Sequence, residues 1–162
     1  MKTIAIVSAL FLLLSACASS DGFQNNQIST CAPGDPIGID AGFQDPGSAV
    51  TGGRLTLLVQ VANNSDADIT VASVRADPQS ASQQSRFEFT GGTKQVNRDI
   101  AEGEEATFEI PMNVRIVDRD MQNQMMRPGQ TFTAEIELAV TVKLANGDAS
   151  RCRFRVAAPV QF

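Results

Sequence analysis

The side chains able to do chemistry in this 162-residue chain include carboxylates, thiols, thioethers and guanidinium groups, but the sequence contains no histidine. Histidine is the commonest general base and the commonest transition-metal ligand in proteins. Its absence excludes a Ser-His-Asp or Cys-His catalytic arrangement, although an enzyme that uses only carboxylates stays open. The sequence also lacks tryptophan and tyrosine, so a sugar-binding face of stacked rings would have only phenylalanine to use. We therefore expect a protein that is not an enzyme and holds no cofactor.

Cys17, the first of the three cysteines, follows an apolar segment at the start of the chain. Lys2 supplies a positive charge, and residues 4–14 are almost wholly apolar. This segment is shorter than the roughly 20 residues that a membrane-spanning helix needs, and it has the layout of a cleavable export signal. The residues Leu14-Ser15-Ala16-Cys17 resemble the lipobox of bacterial lipoproteins. The resemblance covers residues 1–17 alone, and an ordinary secretory signal cut elsewhere is the alternative.

The lipobox resemblance implies a diacylglycerol on the Cys17 sulfur, cleavage before Cys17, and a further acyl chain on the new amino group. Two or three acyl chains form a stable anchor, because each buried CH₂ contributes about 0.8 kcal/mol and one chain alone is marginal. In the sorting pattern of the family, an aspartate after the lipidated cysteine retains the protein at the inner membrane. Ala18 occupies that position here. The resemblance thus implies a lipid-anchored protein of the bacterial cell envelope, at the outer membrane and facing the periplasm.

Cys31 and Cys152 are expected to form a disulfide, because the compartment beyond an export signal is oxidising. The bond would close a loop of about 120 residues and stabilise the fold by roughly 4 to 5 kcal/mol in the chain-entropy model. Two free or intermolecularly paired thiols remain the alternative on sequence grounds.

One loop and the acidic turns contain the remaining candidate metal ligands. Met121, Met125 and Met126 lie close together in a polar segment, and thioethers are soft ligands that suit Cu(I). A ligand or copper carrier is therefore the alternative function, although methionines that cap the domain or meet a partner are the simpler interpretation. Loose calcium binding is also open at the acidic positions. These are Asp118, Asp120, Glu102, Glu104 and Glu105. We expect no resident metal.

Arg151, Arg153 and Arg155 alternate with Cys152, Phe154 and Val156 near the end of the chain. Alternate residues of a strand point to opposite faces of a sheet, so the three arginines are predicted to stand in one outward row. Such a row can receive an anionic group, such as a lipid phosphate or an acidic partner. A solvated face diagonal to Glu135 and Glu137 is the simpler interpretation.

The overall charge argues against nucleic-acid binding. The chain has a formal net charge of −5, and residues 1–16 contain one lysine and no acid, so removing them gives −6. Phosphate backbones are bound by clustered lysine and arginine, which this composition does not supply. Attachment to a membrane is expected through the lipid and not through a polybasic patch.

Most of the chain alternates apolar and polar residues with the period of a β-strand. Seven such segments are predicted, at residues 55–61, 69–74, 87–89, 95–100, 107–116, 132–144 and 151–156. The irregular step between Val71 and Val74 predicts a bulge, and Pro111 predicts a strand at an edge or bulged there. About seven strands at this spacing predict an antiparallel β-sandwich.

The final hairpin allows a sharper prediction. With Asn146, Gly147 and Asp148 in the loop, Val140 would lie opposite Phe154 and Val142 opposite Cys152. Apolar residues would then pair with apolar residues, and Arg153 would stay exposed. Three-residue loops of this kind combine a type I turn with a left-handed residue, a role that glycine can fill.

The stretch from Leu55 to Met112 resembles CARDB-type and other bacterial immunoglobulin-like domains. Its "LLVQVANNSDADITVASV" is similar to their paired strands around an Asn-rich turn, and "IAEGEEATFEIPM" to their Gly-Glu turn before a strand. The resemblance implies an immunoglobulin-like sandwich with an interaction role and no activity. We predict a signal peptide at 1–16, a lipidated N-terminus and tether at 17–35, and the sandwich at 36–162. The expected function is that of a non-catalytic accessory module with a protein partner in the envelope.

Overall fold

The computed structural model describes Cys31 and residues 34–43, 54–81, 87–118, 120 and 131–161, with the side chains of 131–132 and 159–161 left aside. These residues form eight strands. They are β1 (Ile37–Phe43), β2 (Arg54–Asn63), β3 (Ile69–Ala81), β4 (Phe87–Thr90), β5 (Gly92–Ile100), β6 (Glu105–Ile116), β7 (Thr131–Leu144) and β8 (Ala149–Gln161).

The strands form two four-stranded antiparallel sheets, as expected for an all-β sandwich. Sheet A has the order β1-β2-β6-β4, and sheet B has the order β5-β3-β7-β8. Each strand contributes alternate apolar side chains to the space between the sheets, which explains the period of two in the sequence. The core contains fully buried side chains from both sheets, among them Leu57, Ile110, Met112, Val140 and Phe154.

β1 is a strand that the sequence pattern did not predict, and it raises the number from about seven to eight. Its inward residues Ile37, Ile39 and Ala41 are buried, whereas Gly38 and Gly42 occupy outward positions. Glycine weakens strand propensity, so the alternation was hard to recognise. β3 also continues to Ala81, through polar residues beyond the segment predicted at 69–74. Pairing with β7 keeps this polar segment in the sheet.

The predicted irregularity in β3 is confirmed, because its register with both neighbours shifts between Val71 and Ser73. The prediction for Pro111 was wrong in one respect, since β6 lies inside sheet A and its register with β2 is regular. β4 pairs with β6 only from Asn113 onwards. At Pro111, β6 therefore pairs with β2 but not with β4. The N–H that proline lacks is not needed for hydrogen bonds to strands on both sides.

The register predicted for the final hairpin was wrong by two residues, because the loop begins one residue earlier along the chain than predicted. Val140 lies opposite Cys152, and Leu138 lies opposite Phe154. The loop comprises Ala145, Asn146 and Gly147, closed by a hydrogen bond of 2.8 Å from the Leu144 amide to the Asp148 carbonyl.

Glycine conformation explains the loop position. The left-handed residue of such a loop is its last one, and Gly147 takes that place with φ of 99°. The predicted loop would have put Asp148 there. The parity of the prediction is confirmed, since Phe154 is buried and Arg153 is exposed.

Gly91 and Gly92 carry the chain from sheet A to sheet B between β4 and β5. A Cβ atom on Gly91 would overlap the carbonyl oxygen of Ala76, and one on Gly92 would overlap that of Pro111. The backbones approach too closely here for any side chain, so glycine is required at this corner.

Asn63, at the end of β2, is the buried polar residue among the described side chains. Its Nδ2 donates hydrogen bonds to the carbonyls of Ala67 (2.8 Å) and Ile100 (3.1 Å). Its Oδ1 accepts from the backbone amide of Ser65 (3.1 Å) and from the Ser65 hydroxyl (2.6 Å). The side chain thus joins the β2–β3 loop to the end of β5, and all its polar capacity is used.

Candidate interaction surface

Arg151, Arg153 and Arg155 stand exposed in one row on the outer face of sheet B. They alternate along β8 with the buried Cys152 and Phe154, as the sequence predicts. β8 is an edge strand, because in its sheet it pairs only with β7. The row therefore borders the open side of the sandwich as well as its face.

The residues directly opposite the arginines on β7 are Thr141, Ala139 and Glu137, in that order. Glu137 lies opposite Arg155 and diagonal to Arg153, whose Nη1 is 3.9 Å from Glu137 Oε1. Both side chains are partly solvated, so this ion pair contributes about 0 to 1 kcal/mol. Within the described part of the chain, no carboxylate lies at ion-pair distance from Arg151 or Arg155.

Ala139 is fully buried although its side chain points to the outer face of sheet B. It lies between Asp77 on β3 and Arg153 on β8. Long arginine side chains bury their methylene stems along apolar surface while the charged ends stay in water. Arg153 lies opposite Ala139, and its side chain keeps 58% of its surface exposed.

Two further cations share this face, and the sequence pattern did not single them out. Arg75 lies on the same rung as Thr141 and Arg151, and Lys143 lies two residues further along β7. Lys143 could have been found from its alternation with Val142 and Leu144. Arg75 was hidden because the bulge in β3 changes the face of every residue after it.

The acidic residues of the same face are engaged by neighbours. Asp77 forms an ion pair of 2.8 Å with Arg75, and Glu137 accepts a hydrogen bond of 3.2 Å from the Ser80 hydroxyl. A shallow depression of about 320 Å³ lies between Ser80, Glu135, Glu137 and Arg155. The depression combines a cation with two carboxylates, so it offers no strongly positive cavity to a small anion.

The disulfide predicted between Cys31 and Cys152 is present in the structure, with 5.3 Å between the two Cα atoms. This separation falls in the usual range for disulfides. Cys152 follows Arg151 and precedes Arg153 along β8, but its side chain points into the core, and Cys31 packs against the same core. The bond thus joins the N-terminal segment of the chain to the strand that carries the row.

The outer face of sheet A has the opposite charge balance. It presents Asp40, Glu88, Glu105 and Glu109, against Arg54 and Arg115, and Arg115 is hydrogen-bonded to Glu88 by its Nε at 3.1 Å. On the outer face of sheet B, the five cations outnumber the four carboxylates. Those cations are Arg75, Lys143, Arg151, Arg153 and Arg155, and the carboxylates are Asp77, Asp99, Glu135 and Glu137. The two faces therefore differ in sign.

A second depression of about 320 Å³ lies at the opposite end of the sandwich from the β7–β8 turn. Pro78, Phe87, Phe89 and the exposed Val117 contribute its apolar lining. Segments 82–86 and 121–130, which adjoin it along the chain, are outside the described residues.

Several residues singled out from the sequence lie outside the described part of the chain. They are the lipidation candidate Cys17 and the copper candidates Met121, Met125 and Met126. Among the residues that are described, no three histidine, cysteine or acidic side chains come together to hold a metal ion. No helix in that part of the chain is long and apolar enough to cross a membrane.

No protein-family model matches the chain, and no curated protein is similar to it. Solved structures that resemble it include a protein described as late embryogenesis abundant, with 12% identity over 76% of this chain and 72% of that chain and a TM-score of 0.47. A protein from Archaeoglobus fulgidus has 12% identity over 77% and 95% of the two chains and a TM-score of 0.40. A FixG-related protein from Vibrio parahaemolyticus has 16% identity over 78% and 96% and a TM-score of 0.32.

Proposed function

We propose that this protein is a bacterial lipoprotein whose domain is a non-catalytic interaction module of the cell envelope. The arginine row of β8, Arg151, Arg153 and Arg155, presents three exposed cations to an anionic partner. One observation carries the proposal. Cys152, the chain neighbour of Arg151 and Arg153 on the inner face of the same strand, is joined by a disulfide to Cys31, fourteen residues after the lipobox cysteine Cys17. A short covalent path thus connects the proposed lipid anchor at Cys17 with the strand that carries the proposed binding surface.

The strand order supports an immunoglobulin-like type of sandwich. In that fold, strands A-B-E-D form one sheet and C-F-G the other, with C′ added beside C in variable-type domains. Here β1-β2-β6 has the A-B-E order and β3-β7-β8 has the C-F-G order. β4 takes the D position beside β6, and β5 takes the C′ position beside β3. The departure is that the D-like strand precedes the C′-like strand along the chain.

An interaction module fits the physical character of this face. The arginines lie on a rigid strand above a close-packed core, so binding needs little ordering of the protein. Their guanidinium groups can form paired hydrogen bonds to carboxylate or phosphate oxygens. Both properties favour recognition of an anionic surface over chemistry on a bound molecule.

Photo-crosslinking in living cells tests this proposal. A photoreactive amino acid is placed at position 153 or, as the matched control, at position 109 on the outer face of sheet A. The proposal predicts adducts with a protein or a lipid of the envelope from position 153 and few from position 109. Equal adduct yields from the two positions would contradict it.

A further inference from the structure

We propose that the anionic partner of the arginine row is the phospholipid surface to which Cys17 anchors the chain, so that sheet B lies against its own membrane. This inference rests on the proposed lipoprotein function and names the partner of the same surface. It follows from where the tether ends, from the distribution of charge, and from the strength of docking that a tethered domain requires.

The tether ends beside the arginine row. The fourteen residues from Cys17 to Cys31 can span at most about 50 Å when fully extended, at 3.3 to 3.6 Å per residue. Cys31 is bonded to Cys152, and Arg151 and Arg153 are the chain neighbours of Cys152. The arginines are therefore the cations of the domain that the covalent path holds nearest to the lipid anchor.

The charge distribution selects one orientation. The chain as a whole is acidic, with a net charge of −5, so an anionic surface repels the domain in most orientations. The outer face of sheet A carries Asp40, Glu105 and Glu109, and the turn before β6 adds Glu102 and Glu104. The outer face of sheet B has the reverse balance, so the domain is attracted to an anionic surface on this side.

The tether makes weak docking sufficient. Each basic residue close to an anionic bilayer strengthens binding roughly fivefold, so the three arginines together supply at most roughly a hundredfold, which Glu135 and Glu137 on the same face reduce. A hundredfold is too little to hold a free protein at micromolar concentration. For a domain held within about 50 Å of the membrane, the effective concentration of the membrane surface is in the millimolar range. Docking as weak as this is then sufficient.

The test uses the full mature lipoprotein, purified in its acylated form and reconstituted into vesicles. One set of vesicles contains phosphatidylethanolamine with anionic phosphatidylglycerol, and the other contains phosphatidylcholine alone. Phenylglyoxal modifies accessible arginines, and peptide mass spectrometry gives the rate at each position. Arg54 and Arg115, exposed on the outer face of sheet A, serve as internal references.

The inference predicts that Arg151, Arg153 and Arg155 are modified at least severalfold more slowly on the anionic vesicles. Arg54 and Arg115 should react equally on both. About 1 M salt should abolish the protection, because the Debye length is then about 3 Å. Equal rates on the two vesicles would overturn the inference. Protection in native envelopes but on neither vesicle would also overturn it, in favour of a protein partner.

The same peptide mass spectrometry, together with flotation of the vesicles, separates this inference from the lipoprotein function on which it rests. A chain that lacks acyl groups on its N-terminal peptide and does not float with either vesicle would refute the lipoprotein proposal. An acylated chain that floats with both vesicles, and whose arginine row is modified equally on both, refutes the docking alone.

Discussion

Replacing the buried Asn63 by alanine should destabilise the fold more than its position at a loop boundary suggests. The substitution removes four hydrogen bonds, two donated by Nδ2 and two accepted by Oδ1. The bond to the Ile100 carbonyl is buried, so its loss costs about 1 to 3 kcal/mol. The other three are at half-buried positions where water can take over part of the bonding, and each costs about 0.5 kcal/mol. We therefore expect a loss of about 2.5 to 4.5 kcal/mol for Asn63→Ala.

The neighbouring Asn64 offers a matched control. It is exposed, and its Nδ2 donates one hydrogen bond of 3.1 Å to the Asp35 carbonyl. Asn64→Ala deletes the same side chain one residue away and should cost about 0.5 kcal/mol or less. The two variants differ in burial and in the number of hydrogen bonds, not in chemistry.

Urea unfolding of the wild type and both variants measures the difference. The free energy of unfolding should fall by about 2.5 to 4.5 kcal/mol for Asn63→Ala, with a lower midpoint and an unchanged m value. If Asn63→Ala cost no more than Asn64→Ala, the hydrogen bonds of Asn63 would not support the junction between the β2–β3 loop and β5. The account of this end of the sandwich would then be wrong.

Three further perturbations test other parts of the structure. Cys31→Ala with Cys152→Ala should lower the free energy of unfolding by about 2 to 5 kcal/mol; alkylation of both thiols in the native wild-type protein would contradict the disulfide. Gly91→Ala should destabilise by more than about 3 kcal/mol, because its Cβ overlaps the Ala76 carbonyl oxygen. Gly103→Ala, at φ of 73° with open space around it, should cost only about 1 kcal/mol. Urea unfolding measures both glycine variants, and equal losses for Gly91→Ala and Gly103→Ala would refute the steric argument. Arg153→Gln should change stability by less than about 1 kcal/mol, since its side chain is 58% exposed; a loss above 2 kcal/mol would assign the arginine row a role in folding.

The period of two in the sequence was enough to predict seven of the eight described strands and the outward row of arginines. β7 and β8 alternate without interruption, so the faces of Val140, Phe154 and Arg153 follow from parity alone. Parity does not determine register, because shifting one strand by two residues pairs apolar residues with apolar residues again. The two registers differ in which loop residue takes a positive φ. The observed register places Gly147 there, because glycine adopts a positive φ without steric cost.

The features that the sequence did not reveal depend on neighbours distant along the chain. β1 is a strand because β2 supplies its partners, despite glycines at Gly38 and Gly42. The end of β3 is polar and resembles a loop until β7 pairs with it. Asn63 resembles a turn residue, and only the fold brings the Ile100 carbonyl, 37 residues away, to its amide. Arg75 lies on the outer face of sheet B because the bulge in β3 changes the face of the residues that follow it.

The mass of the mature N-terminal peptide, measured on protein purified from bacterial membranes, tests the central proposal most directly. A lipid-anchored module should begin at Cys17 and carry a diacylglycerol on its sulfur, usually with a further acyl chain on the amino group. The Cys17→Ser variant should lack these lipids and remain uncleaved at this position. A wild-type chain with a free, unacylated amino terminus anywhere after residue 16 would contradict the anchor, and with it the proposed function at the membrane.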